Sequence, residues 1–209
     1  DGVWAAVPIE EVATPEAFRQ NPVRVHEFYN TRRRRLLSNE VAPNPAHVAI
    51  ARLQRARENV LLVTQNVDNL HERAGSPQVL HMHGELLKAR CLTCAAHLAW
   101  PADITLATAC PVCGKAGRLR VGVVWFHEQP LHLDEIGAAL DRCRLFVAIG
   151  TSGSVYPAAG FVDRVAGRSV ELNLAPSMIG RRFAEGIYGA ASETVPAFVD
   201  RLLGEGIAA

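Results

Sequence analysis

The chain has 209 residues, enough for one large domain or a domain carrying a smaller insert, and its 49% apolar content supports an ordinary globular core. A formal net charge of +1 excludes the dominant electrostatic attraction of a nucleic-acid or membrane-surface binder, so neither nucleic acid nor membrane is expected as a partner. No apolar run approaches the roughly eighteen residues of a membrane span, and DGVWAAVPIEE lacks the basic start and apolar middle of a signal peptide.

The first third reads as helical. TPEAFRQ, NPVRVHEFYNTRRRRLL and NPAHVAIARLQRAR each begin with a capping residue followed by Pro, the favoured first helical residue. In the second of these, Val25, Tyr29, Arg32 and Leu36 share one helix face. An Arg in that apolar row has two readings. It snorkels to water, or joins a solvated basic face with Arg33, Arg34 and Arg35; or a Tyr29–Arg32 pair faces a pocket, where the guanidinium can grip a carboxylate bidentately. The pattern by itself favours the solvated reading.

The pattern then changes. NVLLVTQNV, RLFVAIGTS and SVELNLA are short runs rich in Val, Ile and Leu that end in polar residues or Gly, as buried parallel strands do. LDEIGAALDRC and ETVPAFVDRLLGEG supply flanking helices. The fold class is therefore α/β. The polar ends TQN, GTS and LNLA lie where open α/β sheets bind ligands, outside the carboxyl ends of the strands.

Between the first two strands sits a segment with both CxxC pairs, Cys91–Cys94 and Cys110–Cys113, fifteen residues apart. This is the spacing of a four-cysteine zinc ribbon, whose closed thiolate shell makes the metal structural. Neither His81 nor His83 is then needed as a ligand. Thiol pairs of this kind suit a reducing compartment, so a cytoplasmic location is expected. Cys143 lacks a partner in sequence and is expected as a buried helical thiol.

TQNVDNLHERAG, HMHGEL, the two CxxC pairs, VVWF followed by Glu128, GTSGSVYPAAG and ELNL occur in one order. Together they resemble the sirtuin family of NAD-dependent protein-lysine deacylases over essentially the whole chain. FYNTRRR with TQNVDNLHERAG is most similar to the bacterial class III members, the CobB-type group. The resemblance implies a Rossmann-like parallel sheet flanked by helices, with a smaller helical plus zinc-ribbon domain. The Rossmann-like NAD-binding part is assigned to residues 1–14, 59–86 and 121–209, the helical part of the small domain to 15–58 and the ribbon to 87–120. NAD and an acylated-lysine protein or peptide meet in the family's interdomain cleft.

Carried over by position, Gln65, Asn66, Val67 and Asp68 match the nicotinamide and ribose end. His83 matches the catalytic base. Gly150, Thr151 and Ser152 match the segment lining the phosphates and adenosine, and Asn173, Leu174, Ala175 and Ala191 the adenosine contacts. Val124, Trp125 and Phe126 match the strand that pairs with the substrate peptide, with Val155 and Tyr156 in the opposing loop. Tyr29 and Arg32 match the class III pattern for succinyl and malonyl groups, which overturns the solvated reading of Arg32. The implied reaction consumes NAD and releases nicotinamide, O-acyl-ADP-ribose and free lysine; a neutral imidazole suits its base.

Departures accompany the resemblance. The family's glycine-rich cofactor loop and first strand precede the point at which this sequence starts. If the chain is complete, weak NAD binding is expected, and the alternative reading is an impaired sirtuin fragment that binds acyl-lysine peptides. Val121-Gly122 replaces a Pro and a polar residue. His127 replaces a Gly and is expected to narrow the peptide cleft. Ala175 stands where relatives often place an acidic or polar residue.

Overall fold

The computed structural model describes residues 8–204. Residues 1–7, expected to begin the Rossmann-like part, lie outside the described residues. Three helices start where the capping signals place them: α1 (Pro15–Gln20), α2 (Pro22–Leu37) and α3 (Pro45–Ala56). Thr14 Oγ1 accepts the Ala17 N–H at 3.0 Å and Asn21 Oδ1 the Arg24 N–H at 3.0 Å. Asn44 Oδ1 accepts from Ala46 and His47, and His47 Nδ1 accepts the Asn44 N–H in return, a capping box with histidine in the usual Glu or Gln place. There follow β1 (Val63–Thr64), α4 (Leu70–Arg73), β2 (Leu80–His81), β3 (Gly84–Cys91), β4 (His97–Ala99) and β5 (Leu119–Val123). The chain continues through α5 (Leu133–Leu140), β6 (Leu145–Ile149), β7 (Arg168–Asn173), β8 (Glu185–Tyr188) and α6 (Ala191–Gly204). Parallel strands and flanking helices make the fold α/β and Rossmann-like, as expected. None of the described helices is long and apolar enough to cross a membrane.

The chain divides into two compact units. The first comprises residues 8–42 of the described chain with Val63–Asn69 and Leu80–Leu131. Here β1 pairs in parallel with β2, and β4-β3-β5 form an antiparallel sheet. The run NVLLVTQNV yields only the two-residue β1. The antiparallel sheet buries Ala89, Cys91, Ile104, Cys110 and Leu119 under Leu98 and Trp100.

Helix α2 is fastened to this unit by polar groups. Asn30 Nδ2 donates to the Ile104 carbonyl and its Oδ1 accepts the Ile104 N–H, both at 2.9 Å. Arg33 is fully buried, which corrects the expectation of a solvated Arg33–Arg35 face. Its Nε donates to the Leu86 carbonyl at 3.1 Å and its Nη1 to Asn30 Oδ1 at 2.7 Å. Burial pulls its guanidinium down to about 10, the nearby Asp103 opposing and Arg34 reinforcing that shift. The run of four arginines hides the inward one because its backbone acceptor comes from elsewhere: Leu86 lies 53 residues away.

The second unit comprises Pro43–Leu62, Leu70–Val79 and residues 132–204 of the described chain. Its parallel sheet has the order β6-β7-β8. The central β7 buries Ser169 through Leu172, as a strand covered on both faces must. Ala46 and Ala49 of α3 pack with Val195, Phe198, Val199 and Leu202 of α6 and with Val170 and Leu172. Each large apolar side chain so buried contributes roughly 1.5–3 kcal/mol. Cys143 is not helical: α5 ends at Leu140, because the Arg142 and Cys143 N–H groups bond three residues back and tighten the chain into a turn. The thiol is half-buried, and burial pushes it up.

Arg33→Ala removes two buried hydrogen bonds and opens a cavity, so it is expected to lower unfolding stability by about 2–4 kcal/mol in urea titration. Arg34→Ala, which loses only exposed contacts with Asp103 and Thr31, is expected to leave the midpoint within error. Equal effects for the two would show that Arg33 carries no structural burden.

Candidate active site and metal centre

His83 is placed by backbone geometry. Four successive carbonyls, from the last residue of β1 onward, accept bonds from the segment around β2 and β3. Thr64 O takes the Met82 N–H at 3.1 Å and Val67 O the Leu86 N–H at 2.7 Å. Between them, Gln65 O meets His83 Nδ1 at 3.2 Å and Asn66 O meets His81 Nδ1 at 3.3 Å. A carbonyl oxygen only accepts, so His83 Nδ1 carries the proton and Nε2 keeps its lone pair. Burial holds the imidazole below its ordinary value, against the opposing Gln65 bond. His83 is therefore a neutral base, half-buried, with its basic nitrogen directed away from its anchor. His81 is buried and bound to Asn66 O, in keeping with a structural role. Gln65, Asn66, Val67 and Asp68 all lie on this pinned segment, where Thr64 Oγ1 also accepts the Asn66 N–H.

Gly84, one residue beyond, has φ +72, and a Cβ there would sit 2.1 Å from the Gly122 carbonyl. Only glycine lets β3 approach β5 so closely at the point where His83 is presented. The His83 carbonyl in turn accepts the Val124 N–H at 2.8 Å.

Val124, Trp125 and Phe126 follow β5 rather than extending it. Their amides are taken within the unit: Val124 by His83 O, Trp125 by Glu128 Oε2 at 2.8 Å, and Phe126 by Ala13 O at 2.9 Å. What this stretch can offer to an added strand is the carbonyls of Val124 and Phe126, since Trp125 O accepts the Glu128 N–H at 3.1 Å. His127 adopts φ +69, which explains why glycine suits the position. Its exposed ring lies 3.7 Å from the Glu16 carboxylate.

Tyr29 and Arg32 stand one turn apart on α2. Tyr29 is buried and its Oη accepts the Trp125 indole N–H at 3.0 Å. Burial pushes the phenol far above its usual range, so it stays protonated. Arg32 is half-buried; its guanidinium lies 3.3 Å from the Phe28 ring centroid and donates to the Phe28 carbonyl at 3.2 Å. Burial lowers its pKa, Tyr29 opposing and Arg35 reinforcing.

The four cysteines converge. All four Sγ atoms lie within 4.8 Å of one another, with Cys91–Cys113 at 3.7 Å and Cys94–Cys110 at 3.8 Å. Zinc at about 2.3 Å from four thiolates requires tetrahedral edges of about 3.8 Å, so the set fits one closed Zn2+ site. Each pair sits in the same kind of knuckle. The first cysteine's N–H bonds five residues ahead, its carbonyl accepts from four ahead, and a left-handed residue, Ala95 or Gly114, closes the turn.

In the second unit the three parallel strands end together. Gly150 (φ +63) leaves β6, and its N–H bonds Leu172 O. Asn173 Nδ2 donates to Thr151 O at 2.7 Å, and the Gly189 N–H to Asn173 O at 2.9 Å. The segments carrying Gly150, Thr151 and Ser152, Asn173, Leu174 and Ala175, and Ala191 at the start of α6 are thus tied into one strand-end cluster, the usual location of a dinucleotide site. Val155 and Tyr156 follow the β6 exit, before the 3-10 helix Ala158–Arg164.

The pairing of Arg120 with Glu128 was missed in the sequence. Arg120 is buried, its guanidinium 3.5 Å above the Trp125 ring and paired bidentately with Glu128 at 2.8 and 2.9 Å. The signal available was an Arg inside an otherwise apolar β5 run, with a Glu eight residues on.

Comparison with known proteins agrees with this geometry. The Sir2 family model matches residues 1–157. An Escherichia coli K12 relative named NAD-dependent protein deacylase is 53% identical over 97% of this chain and 74% of its own length. A Leishmania major relative, NAD-dependent protein deacylase SIR2rp3, is 51% identical over 99% of this chain and 88% of its own. A solved Sir2 homologue–NAD complex superposes with a TM-score of 0.87 at 33% identity, covering 98% of this chain and 81% of the other. Sir2Af2 bound to a myristoylated histone peptide does so at 0.74 and 31%, covering 94% and 87%. At that identity and coverage, the chain is a member of the Sir2 family.

Proposed function

We propose that this chain is an NAD-dependent protein-lysine deacylase that removes succinyl, malonyl and acetyl groups from lysine side chains of proteins or peptides. The observation that carries this reading is His83, a neutral imidazole whose Nδ1 proton is committed to Gln65 O and whose Nε2 is basic. Relatives named NAD-dependent protein deacylases, and the Sir2 structure holding a myristoylated histone peptide, support acyl-lysine as the substrate class. The bacterial relatives also support a cytoplasmic setting.

NAD, when bound, supplies a ribose carbon with nicotinamide as leaving group, to which the acyl oxygen adds. His83 Nε2 takes the proton of a ribose hydroxyl, which makes that oxygen nucleophilic toward the acyl carbon. Gln65, Asn66, Val67 and Asp68 orient the nicotinamide end, a task served by their pinned backbone. Gly150, Thr151, Ser152, Asn173, Leu174, Ala175 and Ala191 hold the adenosine and phosphates. Val124, Trp125, Phe126, Val155 and Tyr156 contact the peptide, with main-chain bonds giving affinity at little sequence selectivity. Tyr29 and Arg32 receive the acyl group, and a carboxylate there would add a bidentate partner to a guanidinium that burial penalises. The four cysteines hold one zinc that braces the β3-β4-β5 sheet and takes no part in the chemistry.

Turnover is followed by mass with NAD and matched peptides. His83→Asn is expected to abolish release of the free lysine, and no acyl peptide consumed by the wild type would sink the reading. Because the folded imidazole titrates below its ordinary value near 6.5, the base form predominates at neutral pH. kcat/KM should therefore show an acid limb centred below the ordinary 6.5; an acid limb centred above 7 contradicts the assignment. Arg32→Ala is expected to lower desuccinylation at least about tenfold more than deacetylation, and an equal loss on both removes its role in acyl choice. Elemental analysis should find one zinc per chain. Cys110→Ser should lose it, together with cooperative unfolding of the sheet by near-UV circular dichroism.

A further inference from the structure

Arg120 and Glu128 are absorbed by none of the roles above, yet they form a closed assembly around one side chain. Glu128 accepts two Arg120 N–H bonds and the Trp125 backbone N–H. Arg120 also donates from Nε to Val121 O at 3.2 Å and from Nη2 to Val123 O at 2.5 Å, and its cation lies over the Trp125 ring. Every one of these contacts ends on residues 121–128, with Trp125 at the centre. Phe18 also packs against the indole, ring centroids 5.3 Å apart.

A buried ion pair is poor evidence for stability, since apolar side chains of like volume serve as well. Its advantage is direction. A bidentate carboxylate–guanidinium pair has one good geometry, and a cation over an indole favours one ring position. The indole so held has one polar atom, Nε1, and that atom donates to Tyr29 Oη. A phenol oxygen that accepts one bond can still donate its own proton, and no described residue accepts it. Burial keeps that proton on the oxygen.

We propose that Arg120 and Glu128 are positioning residues that, through the Trp125 indole, fix the Tyr29 hydroxyl as a hydrogen-bond donor to acidic acyl groups, and so set the preference for succinyl over acetyl. The inference rests on the reading of Tyr29 and Arg32 as the acyl-binding pair. Under it, neutral acyl groups feel the assembly little, because they offer no carboxylate to the aligned hydroxyl.

The test is binding of labelled succinyl- and acetyl-lysine peptides of one sequence to the full chain, read by fluorescence polarisation, with KM and kcat measured alongside. Glu128→Gln keeps shape and still accepts the Trp125 amide; Arg120→Lys keeps charge and loses the fork. Each is expected to lower the succinyl-to-acetyl affinity ratio about threefold to tenfold, with the loss in KM rather than kcat. Trp125→Phe, which keeps a ring and deletes the N–H donor, should lower the ratio at least as far. Ratios within twofold of wild type in all three variants, or equal losses on both peptides, overturn the proposal. Tyr29→Phe separates the two levels. If it lowers the ratio while the other three do not, the acyl pair stands and the positioning assembly fails. If it too leaves the ratio unmoved, the acyl-pair reading fails and the inference falls with it.

Discussion

Four carbonyls in a row, Thr64 to Val67, each accept a bond from the segment between His81 and Leu86. Two of those bonds come from backbone amides and two from imidazoles, in the order amide, ring, ring, amide. The arrangement does several things at once. It joins two strands of only two residues each, too short to hold register alone. It satisfies a loop backbone that would otherwise carry orphan acceptors. It also selects the tautomer of His83, because the acceptor at its Nδ1 is a carbonyl. The base and the segment proposed to face nicotinamide are therefore one hydrogen-bonded object, and neither can move without the other.

The second tier of the first unit is polar as well. Asn30 clasps the Ile104 peptide from both sides, and Arg33 reaches the Leu86 carbonyl. Ile104 belongs to the core under the cysteine knuckles, and Leu86 is the residue that holds Val67. Helix α2 is thus registered against both the metal-bearing sheet and the His83 segment. Tyr29 and Arg32 lie on that helix, so their placement is inherited from buried hydrogen bonds that themselves touch no acyl group.

How far the sequence could be read follows from the range of each interaction. The helix starts at Thr14, Asn21 and Asn44 were legible because a cap is made within three residues. The cysteine spacing was legible because tetrahedral geometry restricts it. Ordered motifs pointed to His83 and the strand-end segments. Arg33 was misread because the Leu86 carbonyl it reaches lies on another element, and four consecutive arginines give no local hint of which one turns inward. The Arg120–Trp125–Tyr29 connection was invisible for the same reason: its last link spans 96 residues. Cys143 was misplaced by the opposite error, a helical period extended through a terminus that tightens into a turn.

The two knuckles differ at one matched position. Gly114 closes the second with φ +71 at no steric cost, whereas Ala95 closes the first at φ +57 with a methyl group in a region that costs an L-residue roughly 1–2 kcal/mol. The first cysteine of each pair, Cys91 and Cys110, is buried, but Cys94 is exposed where Cys113 is partly covered. Strain and solvent access therefore fall on the same half of the site. The closed shell is therefore built unevenly: the Cys91–Cys94 turn is its strained, solvent-facing half and the Cys110–Cys113 turn its relaxed, covered half.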